Sequence, residues 1–233
     1  MSLQSWQPLL NEAYASLLLE YRTFLEHDNE YFPSKENYLN AFTTLAQEDV
    51  KYILFGQDPY PRKESAGGYA FIDNNVKTLF SAKGLSTEVN KATSLRNFMK
   101  MLLLADGTLH QENTTQEAIS KIDKRPYIDS ILSLQKNFET NGVLLLNTAL
   151  VFTDKSASKG HIKVWRPFMT QLLDGLQDKD ITLILFGTQA KDLAKQLPLK
   201  EFKTIKLEHP YNQSFITNKE ALKLFGKMNL LEN

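Results

Sequence analysis

Several apolar runs of strand length in this chain break off at polar side chains that could do chemistry. The run 52–55 ends in GQDPYP (56–61), the run 143–146 ends at Asn147, the run 181–186 ends in GTQA (187–190), and the run 202–207 ends in EHPYNQS (208–214). Asp58 is the acidic residue of the first loop's stiff part. Pro59 and Pro61 fix their own backbone angles and push Asp58 and Tyr60 out of the helical region, so the loop presents both side chains. A carboxylate held in this way can orient water or face a developing positive charge, although a lone Asp-Pro is also a common turn or cap. The Asn147 amide offers one acceptor and two donors, the complement needed to read the polar edge of a pyrimidine, and an Asn can equally close a strand by bonding the next turn. Tyr60 and Phe71, on the same composition alone, are equally readable as core aromatics.

The elements that must carry these residues follow from the hydrophobic pattern. A chain of 233 residues, 42% hydrophobic and 23% charged, has the composition of an ordinary globular protein with one domain, 1–233. Apolar positions recur at helical spacing over 6–25, 95–104 and 127–138, and helical segments are expected over 37–45, 165–176 and 190–197. Residues 72–86 read as irregular, and 105–124 as a polar insertion of loop and short helix. Strands alternating with helices predict a three-layer α/β/α fold around a central, mainly parallel four-stranded sheet. In such a sheet ligands sit outside the carboxyl ends of the strands, where all the chemistry-bearing loops lie.

Charge and cysteine usage exclude several function classes. The 27 basic and 27 acidic residues cancel, so any anionic partner must be met by local asymmetry. Basic residues do gather near the loops: Arg62 and Lys63, then Lys91, Arg96 and Lys100, then Lys155, Lys159, Lys163 and Arg166. With no cysteine there is no disulfide, thiolate zinc site or cysteine-ligated cluster. Four scattered histidines, His27, His110, His161 and His209, show no paired spacing, so no metal and no cofactor is expected. His161 is expected at the surface or facing a nucleic acid. No apolar run approaches membrane-spanning length, and the first ten residues lack a basic n-region and long h-region, so a cytoplasmic location is the expectation.

GQDPYP followed by AGGYAF (66–71) resembles the water-activating motif of the uracil-DNA glycosylases. GVLLLNTAL (142–150) is similar to that family's uracil-recognition strand, and His209-Pro210 stands where its DNA-intercalation loop begins. Three ordered motifs between about residues 52 and 214 are far more specific than any one. The resemblance implies a metal-independent hydrolase that flips deoxyuridine from single- or double-stranded DNA, releases uracil and leaves an abasic site. It implies Asp58 facing the oxocarbenium charge and His209 hydrogen-bonding the uracil oxygen that gains charge. Gln57, Tyr60, Phe71 and Asn147 would form the uracil pocket, with Phe71 stacked on the base and Tyr60 excluding the thymine methyl. Ser94, Thr188, Pro210, Tyr211, Gln213 and Ser214 would contact DNA. A monomer is expected, with an inhibitor protein as a further partner. The other reading is a catalytically weak DNA-binding or assembly protein that kept the fold.

The chain also departs from the family pattern. HPYNQS stands where the family has His-Pro-Ser-Pro-Leu-Ser, so Gln213 takes the place of the leucine wedge unless Tyr211 or Phe215 supplies its bulk. Lys91-Ala92-Thr93 replaces the prolines before Ser94, Thr188 supplies the hydroxyl of the Gly-Ser loop, and Pro61 replaces the usual His.

Overall fold

Leucine-, isoleucine- and valine-rich runs build the sheet. The computed structural model describes all residues except 1, 29, 189–191, 194 and 195. Its strands are β1 (Tyr52–Gly56), β2 (Phe80–Ser81), β3 (Gly84–Leu85), β4 (Val143–Asn147), β5 (Thr182–Phe186) and β6 (Lys203–Leu207). The central sheet is parallel with order β4-β1-β5-β6. Tyr52 to Gly56 pair in register with Val143 to Asn147, and Tyr52 sits opposite Thr182 on the other side. The chain leaves β1 toward β4 and then crosses back past it to β5. The winding direction therefore changes at β1, and the carboxyl end of β1 is where a ligand crevice belongs.

The chain divides into two compact units, Met1–Asp73 with Gly142–Lys206, and Asn74–Asn141 with Leu207–Asn233. In the first, alternate strand residues Ile53, Phe55, Leu144, Leu146, Leu183 and Leu185 join one core with α1 (Ser2–Ala15) and α8 (Ser158–Asp174), which contribute Trp6, Leu9, Trp165 and Phe168. The intervening Leu54, Leu145 and Ile184 are buried as well. Burial on both faces explains why these strands read as continuous apolar runs rather than alternating ones. In the second unit, α5 (Thr93–Ala105), α7 (Ile131–Thr140) and α9 (Lys219–Gly226) close around Phe98, Phe138, Phe215 and Phe225, with the Phe98 and Phe225 rings 4.9 Å apart, edge to face.

Element boundaries differ from the periodicity in instructive ways. The helix expected over 6–25 is two, α1 and α2 (Leu19–His27), because the Ser16 hydroxyl bonds the Ala13 carbonyl and Leu18 is extended. Residues 37–45 hold only the short α3 (Ala41–Thr44). The helix expected from 165 starts seven residues earlier, at Ser158, because Asp154 accepts from the Ser156 and Ala157 amides and organises its first turn. The one expected from 127 starts at Ile131, after Ser130 caps the Ser133 amide. The stretch 72–86, expected to be irregular, contains the β2–β3 hairpin. The polar stretch 105–124 contains α6 (Gln116–Ser120), and α4 (Thr87–Lys91) precedes α5. Much of the helix expected over 190–197, with Gln189 and Ala190 of GTQA, lies outside the described residues.

Candidate active site

Gly56 ends β1 directly opposite Asn147, the last residue of β4. A Cβ added at Gly56 would lie 2.1 Å from Asn147 Oδ1, so the strand must end in glycine for the amide to occupy this place. Asn147 is 5% exposed. The two loops beyond are laced together: the Thr148 amide donates to the Gly56 carbonyl at 3.0 Å, and the Thr148 hydroxyl and Ala149 amide donate to the Gln57 carbonyl at 2.7 and 3.0 Å. Gln57 is thus held by its backbone, with its side chain exposed. The segment 66–71 adds to the same end of the sheet, since the Ala70 amide donates to the Leu145 carbonyl at 3.1 Å.

Asp58 is half-buried, and its Oδ2 accepts a hydrogen bond from the Ser158 hydroxyl at the start of α8. Among the described residues the other carboxylate oxygen accepts no hydrogen bond, so it can face a ligand. The Tyr60 hydroxyl donates to the Phe71 carbonyl at 3.2 Å. Burial, reinforced by the charge of Asp73 and opposed by that of Arg62, pushes the Tyr60 hydroxyl far above its ordinary value, so it stays protonated. The half-buried Phe71 has φ of 68°, an unusual conformation for a bulky side chain that points to a functional constraint. Its ring lies 6.3 Å from that of Phe186. Just beyond Tyr60, Arg62 pairs with the buried Asp73 at 3.1 Å and donates to Ser65 at 3.2 Å, tying together the two ends of the segment 62–73 that carries Phe71. Thr188 is exposed on the turn after β5.

In the second unit, His209, Pro210, Tyr211, Gln213 and Ser214 share one loop. Asn97 of α5, 3% exposed, donates to the carbonyls of Pro210, Tyr211 and Asn212 at 2.8, 3.3 and 3.2 Å. Glu208 accepts from Asn212 and from the Ser214 hydroxyl at 3.1 and 2.5 Å. The Tyr211 amide donates to His209 Nδ1 at 3.0 Å, so the neutral ring carries its proton on Nε2. His209 reaches solvent, yet partial desolvation of its ring lowers its pKa and favours that neutral form. Tyr211 is 67% exposed and Gln213 is exposed, whereas Phe215 is fully buried against Phe98 and cannot act as a wedge. Ser94 is half-buried in the first turn of α5, whose N-terminus has no capping side chain.

His161 corrects an expectation: it is 8% exposed, with its ring bonded to Tyr21 and Thr153 rather than facing solvent. Its place on the inner face of α8, one turn from Ser158, accounts for the difference. Ser158 and Asn97 were not singled out in the sequence. The Asp154-Lys155-Ser156 pattern marks only the start of the helix that carries Ser158, and Asn97 had no local signal.

No family model matches the chain. The solved structure of wild-type UNG from Nitratifractor salsuginis is 48% identical over 98% of this chain and 92% of that one, with a TM-score of 0.97. The chain belongs to the uracil-DNA glycosylase family. A uracil-DNA glycosylase of Fusobacterium nucleatum is 28% identical over 88% of this chain and 80% of its own length. A mimivirus UNG variant solved in complex with UGI shares the fold at 19% identity and a TM-score of 0.58, over 88% of this chain and 69% of that one. Within this glycosylase, Gln57, Asp58, Tyr60, Phe71 and Asn147 stand at one end of the sheet in the first unit, and His209 lies in the second.

Proposed function

We propose that the protein removes uracil from DNA in base excision repair, flipping deoxyuridine and hydrolysing its N-glycosidic bond to leave an abasic site. The observation that carries this reading is the buried Asn147 amide, seated over Gly56 beside the loop that presents Asp58. As the bond breaks, the sugar gains oxocarbenium character, and the Asp58 carboxylate stabilises that charge and orients the attacking water. His209, neutral with its proton on Nε2, donates to the uracil oxygen that becomes negative. A donor that is already neutral does this without first losing a proton. Asn147 reads the polar edge of uracil and rejects cytosine, whose exocyclic amine reverses the donor and acceptor pattern. Tyr60, fixed through its hydroxyl on the Phe71 carbonyl, is the wall against the thymine methyl, and Phe71 stacks on the base.

Ser94, Thr188, Pro210 and Ser214 contact the DNA backbone, and exposed Tyr211 and Gln213 enter the stack. The substrate is uracil in single- or double-stranded DNA, and the protein acts as a cytoplasmic monomer. Among the described residues no helix is long and apolar enough to cross a membrane. We read 1–233 as one catalytic domain, because each compact unit is assembled from two separate stretches of chain. An inhibitor protein as partner is supported by the mimivirus complex. A purely DNA-binding role would leave the Asp58–Ser158 bond without a use.

The test is release of base from oligonucleotides containing uracil, thymine or hypoxanthine. The expected result is uracil release alone, with Asp58→Asn and His209→Ala slower by orders of magnitude in single turnover while DNA binding persists. Near-normal rates for both variants would overturn the assignment.

A further inference from the structure

The geometry points to Ser158 as a positioning residue for catalysis, whose hydroxyl holds the Asp58 carboxylate in its reactive orientation. This deepens the reading of Asp58 given above and rests on it. Ser158 is 8% exposed, and its hydroxyl donates to Asp58 Oδ2 across 100 residues of chain. A hydrogen bond to a carboxylate is among the stronger kinds, and it fixes the rotation of the group. Pro59 and Pro61 stiffen the backbone of the loop but exert no hold on how the carboxylate itself is turned. Ser158 supplies that hold from a different element.

The turn carrying Ser158 is itself anchored by a directional chain of hydrogen bonds. Trp165 Nε1 can only donate, and does so to the Tyr21 hydroxyl at 3.1 Å. Tyr21 is assigned as the donor to His161 Nδ1, at 2.5 Å, which gives its own hydroxyl proton a partner. Neutral His161 then carries its proton on Nε2 and donates it to the Thr153 hydroxyl at 3.0 Å. Thr153 donates in turn to Asp154 at 3.4 Å, and Asp154 accepts from the Ser156 and Ala157 amides just before α8. One tautomer of His161, with its proton on Nε2, satisfies the whole series. Ser158 and His161 stand one turn apart on α8, so the series fixes the helical turn from which Ser158 reaches Asp58.

The test uses the full chain and uracil-containing oligonucleotides. Ser158→Ala should lower kcat about tenfold, equivalent to about 1.4 kcal/mol, with KM and thermal midpoint close to wild type. Ser158→Thr, which keeps the hydroxyl, should restore most of the rate. Ser158→Cys, close in size but a weak donor, should be as slow as alanine. In an Asp58→Asn background Ser158→Ala should add little further loss, because the group it positions is already gone. Wild-type kcat in both Ser158→Ala and Ser158→Cys would overturn the inference. So would equal slowing in the threonine and alanine variants, or full multiplicative loss in the Asp58→Asn background. A slow Asp58→Asn with a normal Ser158→Ala rejects this inference alone, whereas a normal Asp58→Asn rejects the catalytic reading of Asp58 and this inference with it.

Discussion

Replacing Gly56 by alanine is the sharpest probe of the pocket, because it adds one carbon at the point where β1 and β4 end together. That carbon would lie 2.1 Å from Asn147 Oδ1 and 2.9 Å from the Ala70 Cβ. Ordinary contact begins at 3.4 Å, so the amide must retreat by about 1.3 Å, and Asn147 is too buried to swing into solvent. Overpacking of this kind costs about 1–3 kcal/mol of stability. For a chain of this size each kcal/mol lowers the thermal midpoint by about 2–4 °C. The catalytic loss should be larger, since misplacing a positioning group by roughly 1 Å can cost on the order of a hundredfold in rate. Thermal melts and single-turnover cleavage of a uracil oligonucleotide measure the two effects separately. Much of the stability cost should vanish in an Asn147→Ala background, where the nearest atom is gone. A Gly56→Ala enzyme with wild-type rate and midpoint would refute the idea that Asn147 is held against a bare strand end.

Specificity should respond to residues that do no bond-breaking: Tyr60→Ala should release thymine and Asn147→Asp cytosine, each at reduced overall rate, as base-release assays on the corresponding strands would reveal. For the loop of the second unit, wild type should prefer single-stranded uracil, then uracil opposite guanine, then uracil opposite adenine. Gln213→Leu should speed the paired substrates up to about tenfold and Tyr211→Ala should slow only duplex cleavage. Equal wild-type rates on all three substrates with both variants neutral would count against a wedge at either position. Burial depresses the pKa of His161, opposed by the charges of Asp154 and Asp58, and also that of His209. The unfolded chain therefore binds the protons more readily. Stability from these groups is complete above the unfolded value of about 6.5 and is lost as pH falls below it through the lower folded values. The thermal midpoint should drop between about pH 7 and pH 5, and His161→Gln should flatten that slope. An unaltered slope in that variant would contradict the assignment.

How much of this was legible in the chain depends on whether the signal was local. The strands and their carboxyl-end loops could be read because each run ends in Gly, Pro or Asn within one to three residues, and those breakers act where they stand. Asp58 and Asn147 stand at two of those breaks, whereas Tyr60 and Phe71 read as core aromatics on composition and are assigned to the pocket by the family resemblance. What escaped was long-range. The Ser158 hydroxyl meets a partner 100 positions away and Asn97 holds carbonyls 113 to 115 positions away, and no periodicity announces either contact. The early start of α8 was missed because its first turn is polar and is organised by a side chain, Asp154, lying outside the helix. His161 was misjudged because a histidine among lysines looks solvated until the helix face it occupies is known.

The grip of Asn97 on three consecutive carbonyls separates the shape of the loop 209–214 from its wording. Carbonyl oxygens are the same whatever side chain stands beside them, so Tyr211 and Gln213 can be exchanged widely while the backbone path persists. On the proposed function, variation there would tune how the protein meets different forms of DNA without rebuilding the scaffold, and a library at these two positions should return mostly folded members. A single change at Asn97, which lies outside the loop, would unsettle all of it at once.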